Sequence, residues 1–422
     1  GESEWSTRLP MLLALLGCLW FVLQLAQRWF GEASAWVAGV VFLVLPVCGR
    51  YGLHVDVHGP LTMLMALGVL HGYQRWLDGK ASARWMFLWM LLGVLTDWPV
   101  LLLPVLLLAH AFLTRQSKAV RWTLVKLGIV AFGMLLLVLL YAASLKGGLE
   151  FLMNQLGRRT FSMTDDRSAS FTLMEWLVRQ ASHLDALYTA PLLLIALAGL
   201  VAGLIWNRER WGLFLVLLVF GLADILLGMQ ASYVHDAWSV FLWPCVAMAA
   251  AEAVSLLWPT LALVMGEAAL MFQRRWRRSW PMAAVAAISL GAVALTTGGD
   301  LPKAAEYDAG IGHSCEELGL FLRAQVKENE AVALVGEFDG APALHWYADR
   351  TMAPYVVDEA SLKLALERGG FYGPLSFPIS SRRELRTLVM PARLGPQYGP
   401  LLEALKVGWQ AEAHGKFLLW RR

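Results

Sequence analysis

Apolar residues in this chain come in long runs. They follow neither the alternation of a half-buried strand nor the single stripe of a soluble helix. The runs are Leu9–Gln27, Ala35–Cys48, Pro60–Leu77, Arg84–Leu95, Pro99–Thr114, Thr123–Leu145, Leu187–Trp206, Trp211–Met229, Ala237–Leu257, Trp258–Phe272 and Met282–Ala294. A helix that crosses a bilayer needs about 20 mostly apolar residues. The shorter runs approach that length once their flanks are added, and each holds few charges. The pattern predicts an α-helical polytopic membrane protein with about ten transmembrane helices.

The linkers set its orientation. Arg75–Arg84, Arg115–Lys126, Asn207–Arg210 and Gln273–Arg278 are basic, as cytoplasmic loops are. Alternation then places Gly49–Gly59, Thr96–Trp98, Lys146–Ala186 and Gln230–Asp236 on the outer side. Keeping Gln273–Arg278 inside requires a single crossing over Ala237–Leu257 and an interfacial helix after Pro259.

Beyond Gly299 the apolar runs shorten and Gly, Pro and charged residues become more frequent. This divides the chain into a transmembrane domain, 1–299, with an outer loop at 146–186, and a soluble α/β domain, 300–422, on the outer side. Within the latter, Ala331–Val335, Arg386–Met390 and Lys416–Leu419 read as strands. Ala341–Tyr347, Leu362–Glu367 and Leu401–Leu405 read as helices.

Composition agrees. Hydrophobic residues make up 58% of the 422 positions, charged residues 16%, and the mean hydropathy is +0.54. Soluble domains average about 45–50% apolar and about 25% charged, so a wholly soluble protein is excluded, as are disorder and a disulfide-rich secreted module. A net charge of +3 gives no footing for nucleic acid. Cys18, Cys48, Cys245 and Cys315 are scattered without metal or disulfide spacing.

Chemistry-bearing residues gather in the outer segments. Arg50, Tyr51, His54, Asp56 and His58 fall within nine positions, just ahead of Pro60. Pro60 suits a first helical turn, and an acid before it suits either a cap or a polar site. Asp97 and Trp98 sit at a hairpin apex between two short runs, where a carboxylate either faces a polar cavity or simply turns the chain. Tyr233, His235 and Asp236 precede the run from Ala237; His and Asp there serve anion binding, metal binding or acid/base work. The loop 146–186 carries Arg158, Arg159, Asp165, Asp166 and Arg167. Its apolar stretches Leu149–Leu156 and Phe171–Val178 read as amphipathic helices on the membrane surface that shape a substrate entrance or a lid. Asp224 lies inside an apolar run, where it must face protein or water. No phosphate-binding or hydrolase motif stands in a plausible context. Ionisable groups at one interface, rather than at the midplane, favour an enzyme acting on a membrane-delivered substrate over a transporter or flippase.

Several segments together resemble the GT-C type of membrane glycosyltransferase, within it the protein O-mannosyltransferase and aminoarabinose-transferase group. Trp5-Ser6-Thr7-Arg8-Leu9-Pro10 resembles the group's Trp-x-x-Arg-Leu-Pro loop before a Leu-rich helix, and Arg28-Trp29-Phe30-Gly31 its Arg-x-Phe-Gly turn. Arg50-Tyr51, Asp56 and Pro60-Leu61-Thr62 resemble an Arg-Tyr…Asp-x-Pro-Leu-Thr segment, and Gly93 to Pro104 a Gly-x-x-x-Leu-Thr-Lys-x-Pro stretch in which Asp97 replaces the Lys. Tyr233-Val234-His235-Asp236 is similar to a His-Asp motif of some members, and Trp346–Arg350 to their outer-face domain.

The resemblance implies a polyprenyl-phosphate sugar as donor and a protein, lipid or glycan acceptor at the outer face of a cell membrane, in style a bacterial plasma membrane. It also implies a catalytic acid in a loop ahead of Gly1. Within the chain, the candidate catalytic residues are Asp56, His235 and Asp236. The candidate substrate-binding residues are Arg50, Tyr51, His54, His58, Asp97, Trp98, Arg158, Arg159 and Tyr233. No organic cofactor is expected; a divalent metal near the leaving phosphate is one way to serve the reaction. A non-catalytic member acting as a binding partner is a further reading of the same resemblance.

Overall fold

The computed structural model describes residues 4–52, 57–145, 148–159, 171–206, 211–264, 317–327, 330–335, 352–356, 384–392, 410–415 and 417–421. The chain divides into two compact units, Gly1–Ala304 and Ala305–Arg422.

The first unit is helical: α1 Glu4–Trp29, α2 Glu32–Val44, α3 Pro46–Tyr51, α4 Thr62–Leu77, α5 Arg84–Thr96, α6 Leu103–Leu113, α7 Lys118–Ser144, α8 Gly148–Arg159, α9 Leu173–Tyr188, α10 Ala190–Trp206, α11 Gly212–Leu227, α12 Met229–Val234 and α13 Trp243–Val264. Among the described residues three stretches are long and apolar enough to cross a bilayer singly: Arg8–Trp29, Lys118–Ser144 and Asp236–Leu256. The pair α9 and α10 is bent by 96°, the geometry of a broken span or of a re-entrant loop. Glu32–Val44, Arg84–Thr96, Trp98–Leu113 and Gly212–Leu227 are apolar but shorter. The count of about ten crossings drawn from the sequence exceeds what length and composition return for the described helices, because breaks cut several apolar runs.

Those breaks follow the backbone chemistry. Pro46 ends α2 at Val44, since a proline disfavours helical geometry in the residue before it, here the extended Leu45. A 3-10 turn, Trp98–Leu102, precedes α6, and another, Asp236–Leu242, precedes α13. A π-type turn, Val57–Leu61, kinks at Gly59 and leads into α4. One break expected from the sequence does not form. α13 runs without interruption through Pro259 to Val264, so no separate interfacial helix starts at that proline.

α1 and α4 run side by side in the same direction. Leu64 lies against Gly17, the Phe21 and His71 rings are 5.1 Å apart, and Arg28 meets Asp78. α2 returns antiparallel and buries its stripe against α13, where the Phe42 and Trp243 rings stack at 4.1 Å and the Trp243 indole N–H donates to the Phe42 carbonyl at 2.7 Å. In contrast, α7 leaves Ile129, Phe132, Leu137, Leu140 and Tyr141 exposed. Such an apolar face is stable only against lipid or another protein.

In the second unit the described strands are β1 Glu330–Val335, β2 Met352–Val356, β3 Glu384–Pro391, β4 Gln410–His414 and β5 Phe417–Arg421, in the order β2-β1-β3-β5-β4. β1 is parallel to β2 and β3; β5 is antiparallel to β3 and β4. A helix over 317–325 precedes them. Three strands read from the sequence are present as β1, β3 and β5, while β2 and β4 were missed. Ala341–Tyr347, Leu362–Glu367 and Leu401–Leu405 lie outside the described residues.

Helix contact in lipid depends on close backbone approach at small residues. A methyl group at Gly199 of α10 would stand 2.0 Å from the Ala249 carbonyl oxygen of α13. Gly199→Ala should therefore lower stability by about 1–3 kcal/mol. Gly133→Ala, on an open stretch of α7, should be neutral or mildly stabilising. Thermal unfolding of the purified variants measures both; equal loss at the two positions would contradict the packing argument.

Candidate functional site

The polar centre of the helical unit is Asp236, the first residue of the 3-10 turn before α13 and only 8% exposed. An unpartnered carboxylate at that burial would be costly. Both of its oxygens are taken. Arg50 Nη1 lies 2.5 Å from Oδ2, and the Tyr51 hydroxyl donates to Oδ1 at 2.5 Å. Arg50 and Tyr51 are the last residues of α3, held there because Pro46 starts that short helix in line with them. The Arg50 guanidinium also lies over the Tyr51 ring, 5.6 Å from its centre. Arg50 is part-exposed, and a guanidinium has five N–H donors. Asp236 thus fixes the orientation of Arg50 without consuming all its donors.

The buried face of α9 forms the adjoining wall. Thr172 and Glu175 close a reciprocal capping box at its start. The Trp176 indole N–H then donates to Ser232 Oγ at 3.1 Å, and Gln180 Nε2 to the Ser232 carbonyl at 2.7 Å. The Tyr188 hydroxyl donates to the Ser239 carbonyl at 2.5 Å. His183, 7% exposed, interacts electrostatically with both Asp236 and Arg50. Among the described residues His183 Nδ1, Gln180 Oε1, Ser239 Oγ, Thr189 Oγ1 and the Trp98 indole nitrogen are buried without hydrogen-bond partners.

Of the residues singled out from the sequence, the structure unites Arg50, Tyr51 and Asp236. Trp98 reaches the same neighbourhood, its ring 6.3 Å from that of Trp238. Asp97 caps the 3-10 turn locally, accepting from the Trp98 N–H at 2.8 Å. His235 is exposed and extended. Tyr233 stacks on Phe171 at 4.3 Å, and its carbonyl accepts from Arg179. His54 and Asp56 lie outside the described residues, as do the side chains of His58, Arg158 and Arg159. Gln180 and His183 were missed. Their only sequence signal is the i, i+3 spacing of polar residues on an amphipathic helix.

Among the described residues no three His, Cys, Asp or Glu side chains form a group that could hold a metal, and both Asp236 oxygens already face an Arg and a Tyr.

Residues 1–142 match the family model of dolichyl-phosphate-mannose-protein mannosyltransferases. The whole chain superposes on ArnT from Cupriavidus metallidurans bound to undecaprenyl phosphate, with a TM-score of 0.60 and 16% identity over 99% of this chain and 84% of that one. This is a GT-C fold. The group named from the sequence motifs is the one both comparisons return. The apo form of ArnT gives a TM-score of 0.59 at 15% identity, over the same shares of both chains. The Archaeoglobus fulgidus oligosaccharyltransferase gives 0.58 at 14% identity, covering 93% of this chain and 59% of that one. The same enzyme in complex with Zn and sulfate gives 0.52 at 12% identity, over 95% and 58%. No curated protein matches by sequence. The GT-C fold and the apolar helices make this a multi-pass membrane protein.

The α9–α10 bend turns on Thr189, whose φ of 60° and ψ of 140° belong to a region that disfavours a β-branched side chain. The Asp185 carboxylate secures the bend by accepting from the Ala190 N–H at 2.7 Å. Strain of this kind costs about 1–3 kcal/mol. Thr189→Gly should raise stability by about 1 kcal/mol, once the greater chain entropy of Gly is set against the relief. A lower melting temperature in that variant would show that the Thr189 side chain contributes more than its backbone costs.

Proposed function

We propose that the protein is a membrane glycosyltransferase that moves a sugar from a polyprenyl-phosphate donor to a protein, lipid or glycan acceptor, at the outer face of a bacterial plasma membrane. The observation that carries this reading is Arg50: a part-exposed cation fixed from one side by Asp236 and Tyr51, with the buried His183 nearby. The matched family model and the undecaprenyl phosphate bound to the ArnT relative support the choice of donor class.

In the proposed reaction an acceptor hydroxyl attacks the anomeric carbon of the sugar. The bond from that carbon to the phosphate oxygen breaks, and the lipid phosphate leaves with the electron pair. Charge grows on the leaving phosphate, and a guanidinium oriented in advance stabilises it more than water would. Asp236 is a weak choice for the base, because its lone pairs already face a cation and a phenol O–H. Its proposed role is to position Arg50. The acceptor proton goes to a carboxylate base; Asp56 is a candidate for that role or for positioning the substrate, on the sequence alone. His54, His58, Arg158 and Arg159 remain proposed donor contacts on the same grounds, and Trp98 and Tyr233 proposed apolar walls.

Arg50→Ala should lower transfer from a polyprenyl-phosphate sugar by about a hundredfold in membranes, the scale of losing one preorganised donor to a developing anion. Arg50→Lys should recover only part of it, since Lys lacks the planar fork. Asp236→Asn should lower the rate less than Arg50→Ala, and Tyr51→Phe less still. Transfer by Arg50→Ala near the parent rate would remove this cluster from the reaction.

A further inference from the structure

A second polar group occupies the opposite end of the α1–α4 pair, about 24 Å away along the 16 residues of α4. There Arg28 clasps Asp78 at two points, Nε to Oδ2 at 2.9 Å and Nη2 to Oδ1 at 2.8 Å. Gln74 Nε2 also donates to Asp78, and the Trp29 indole N–H donates to Gln74 Oε1. These contacts neutralise the one carboxylate among the residues lining a cavity of about 450 Å³. Arg75, Lys80, Gln24, Gln27 and His71 line it as well. Arg75 Nη2 donates to the Lys80 carbonyl at 3.5 Å. With Arg28 and Asp78 cancelling, the cavity keeps two positive charges and two side-chain amides. That lining is rich in donors and suits an anion with several acceptor oxygens.

The approach to the cavity identifies the source of that anion. On α1 the residues Leu9, Leu13, Leu16 and Trp20 are each about half exposed. They follow helical spacing, and the same face continues into Gln24 and Gln27 at the cavity. That face thus passes from an apolar stripe to amides, and at its end α4 and the residues after it bring Arg75 and Lys80 to the same cavity. The Trp20 ring contacts His71, a lining residue, at 5.2 Å. This is the profile of a phospholipid lying along the helix, acyl chain on the stripe and phosphate among the cations. The basic linker Arg75–Arg84 places this end at the cytoplasmic leaflet, where anionic lipid is concentrated.

We propose that this cavity binds the phosphate headgroup of an anionic phospholipid from the leaflet opposite the Arg50–Asp236 cluster. The inference is independent of the glycosyl-transfer reading. A free phosphate shares the headgroup chemistry but has no use for the α1 stripe.

The test is native mass spectrometry of the full chain, released from vesicles that hold phosphatidylglycerol and phosphatidylcholine in equal amounts. The chain should retain phosphatidylglycerol selectively. Arg75→Ala with Lys80→Ala should weaken that retention about tenfold or more, as expected for two cations beside an anionic surface. Arg75→Lys with Lys80→Arg, which keeps the charge, should retain it. Leu13→Gln with Leu16→Gln should weaken lipid retention, and millimolar inorganic phosphate should compete poorly. Efficient competition by phosphate, indifferent to the stripe variant, would overturn the lipid assignment. Equal retention of both lipids, or selective retention undiminished in the double Ala variant, would overturn the site.

Discussion

The helical unit is organised around one constraint: a polar group inside an apolar assembly must find its partner within the chain. Asp236 shows it most directly. Its carboxylate is nearly closed to solvent, and Arg50 and Tyr51, 185 residues earlier for the tyrosine, supply its partners. The same demand joins Ser34 of α2 to Glu252 and Ser255 of α13, the Trp243 indole to the Phe42 carbonyl, and Tyr188 to Ser239. Dispersion alone packs apolar helices in lipid with little preference for register, because lipid tails are as apolar as the side chains. The polar contacts choose the register. Here they tie α2, α3 and α9 to the segment from Ser232 to Ser255, and the candidate site lies where those ties converge.

The site also coincides with breaks in regular backbone. α3 begins at Pro46, the residue before α13 is a 3-10 turn, α4 starts from a kinked π-type turn, and Thr189 carries a positive φ. An unbroken helix keeps its N–H and C=O groups within itself. Wherever the helix is interrupted, backbone polar groups and the side chains beside them become available to a ligand, tolerable only when buried in protein or lining a wet cavity. The Ser232 and Ser239 carbonyls, which accept from Gln180 and Tyr188, are examples of groups freed in this way. A catalytic centre in such a fold belongs at these breaks, because continuous helices have few polar groups to offer.

The sequence made the helical class and the position of Arg50, Tyr51 and Asp236 legible, for a physical reason. Charge inside apolar sequence is expensive, so each charged residue at a run boundary is a strong signal. It did not reveal the partners. Arg50 and Asp236 are joined only by the folding of distant helices, and pairing at that separation leaves no local pattern. The reading of Pro259 as a break failed because α13 continues through it, as apolar helices with a proline can. Gln180 and His183 were overlooked because α9 looks amphipathic, and its polar side is naturally assigned to water. In the structure those two residues lie on the buried side. β2 and β4 escaped notice for the opposite reason: Met352–Val356 contains a proline, and Gln410–His414 is almost fully exposed, as edge strands often are.

The α1–α4 pair carries a polar group at each end, and the two differ in kind. Near Asp236 the carboxylate is buried and the cation beside it is only partly open, so charge is held in a fixed geometry. Near Asp78 the paired guanidinium is largely exposed, and the further cations Arg75 and Lys80 line a cavity. Charge held in a fixed geometry stabilises one developing anion strongly, since little must reorganise around it. Mobile charge at a wet rim attracts anions broadly and weakly. The first arrangement suits a reacting phosphate and the second a bound headgroup. A pair of parallel helices can hold both because packing between the two ends, Leu64 against Gly17 and the Phe21 ring against His71, keeps the helices side by side. Neither polar end has to bend for the other to keep its shape.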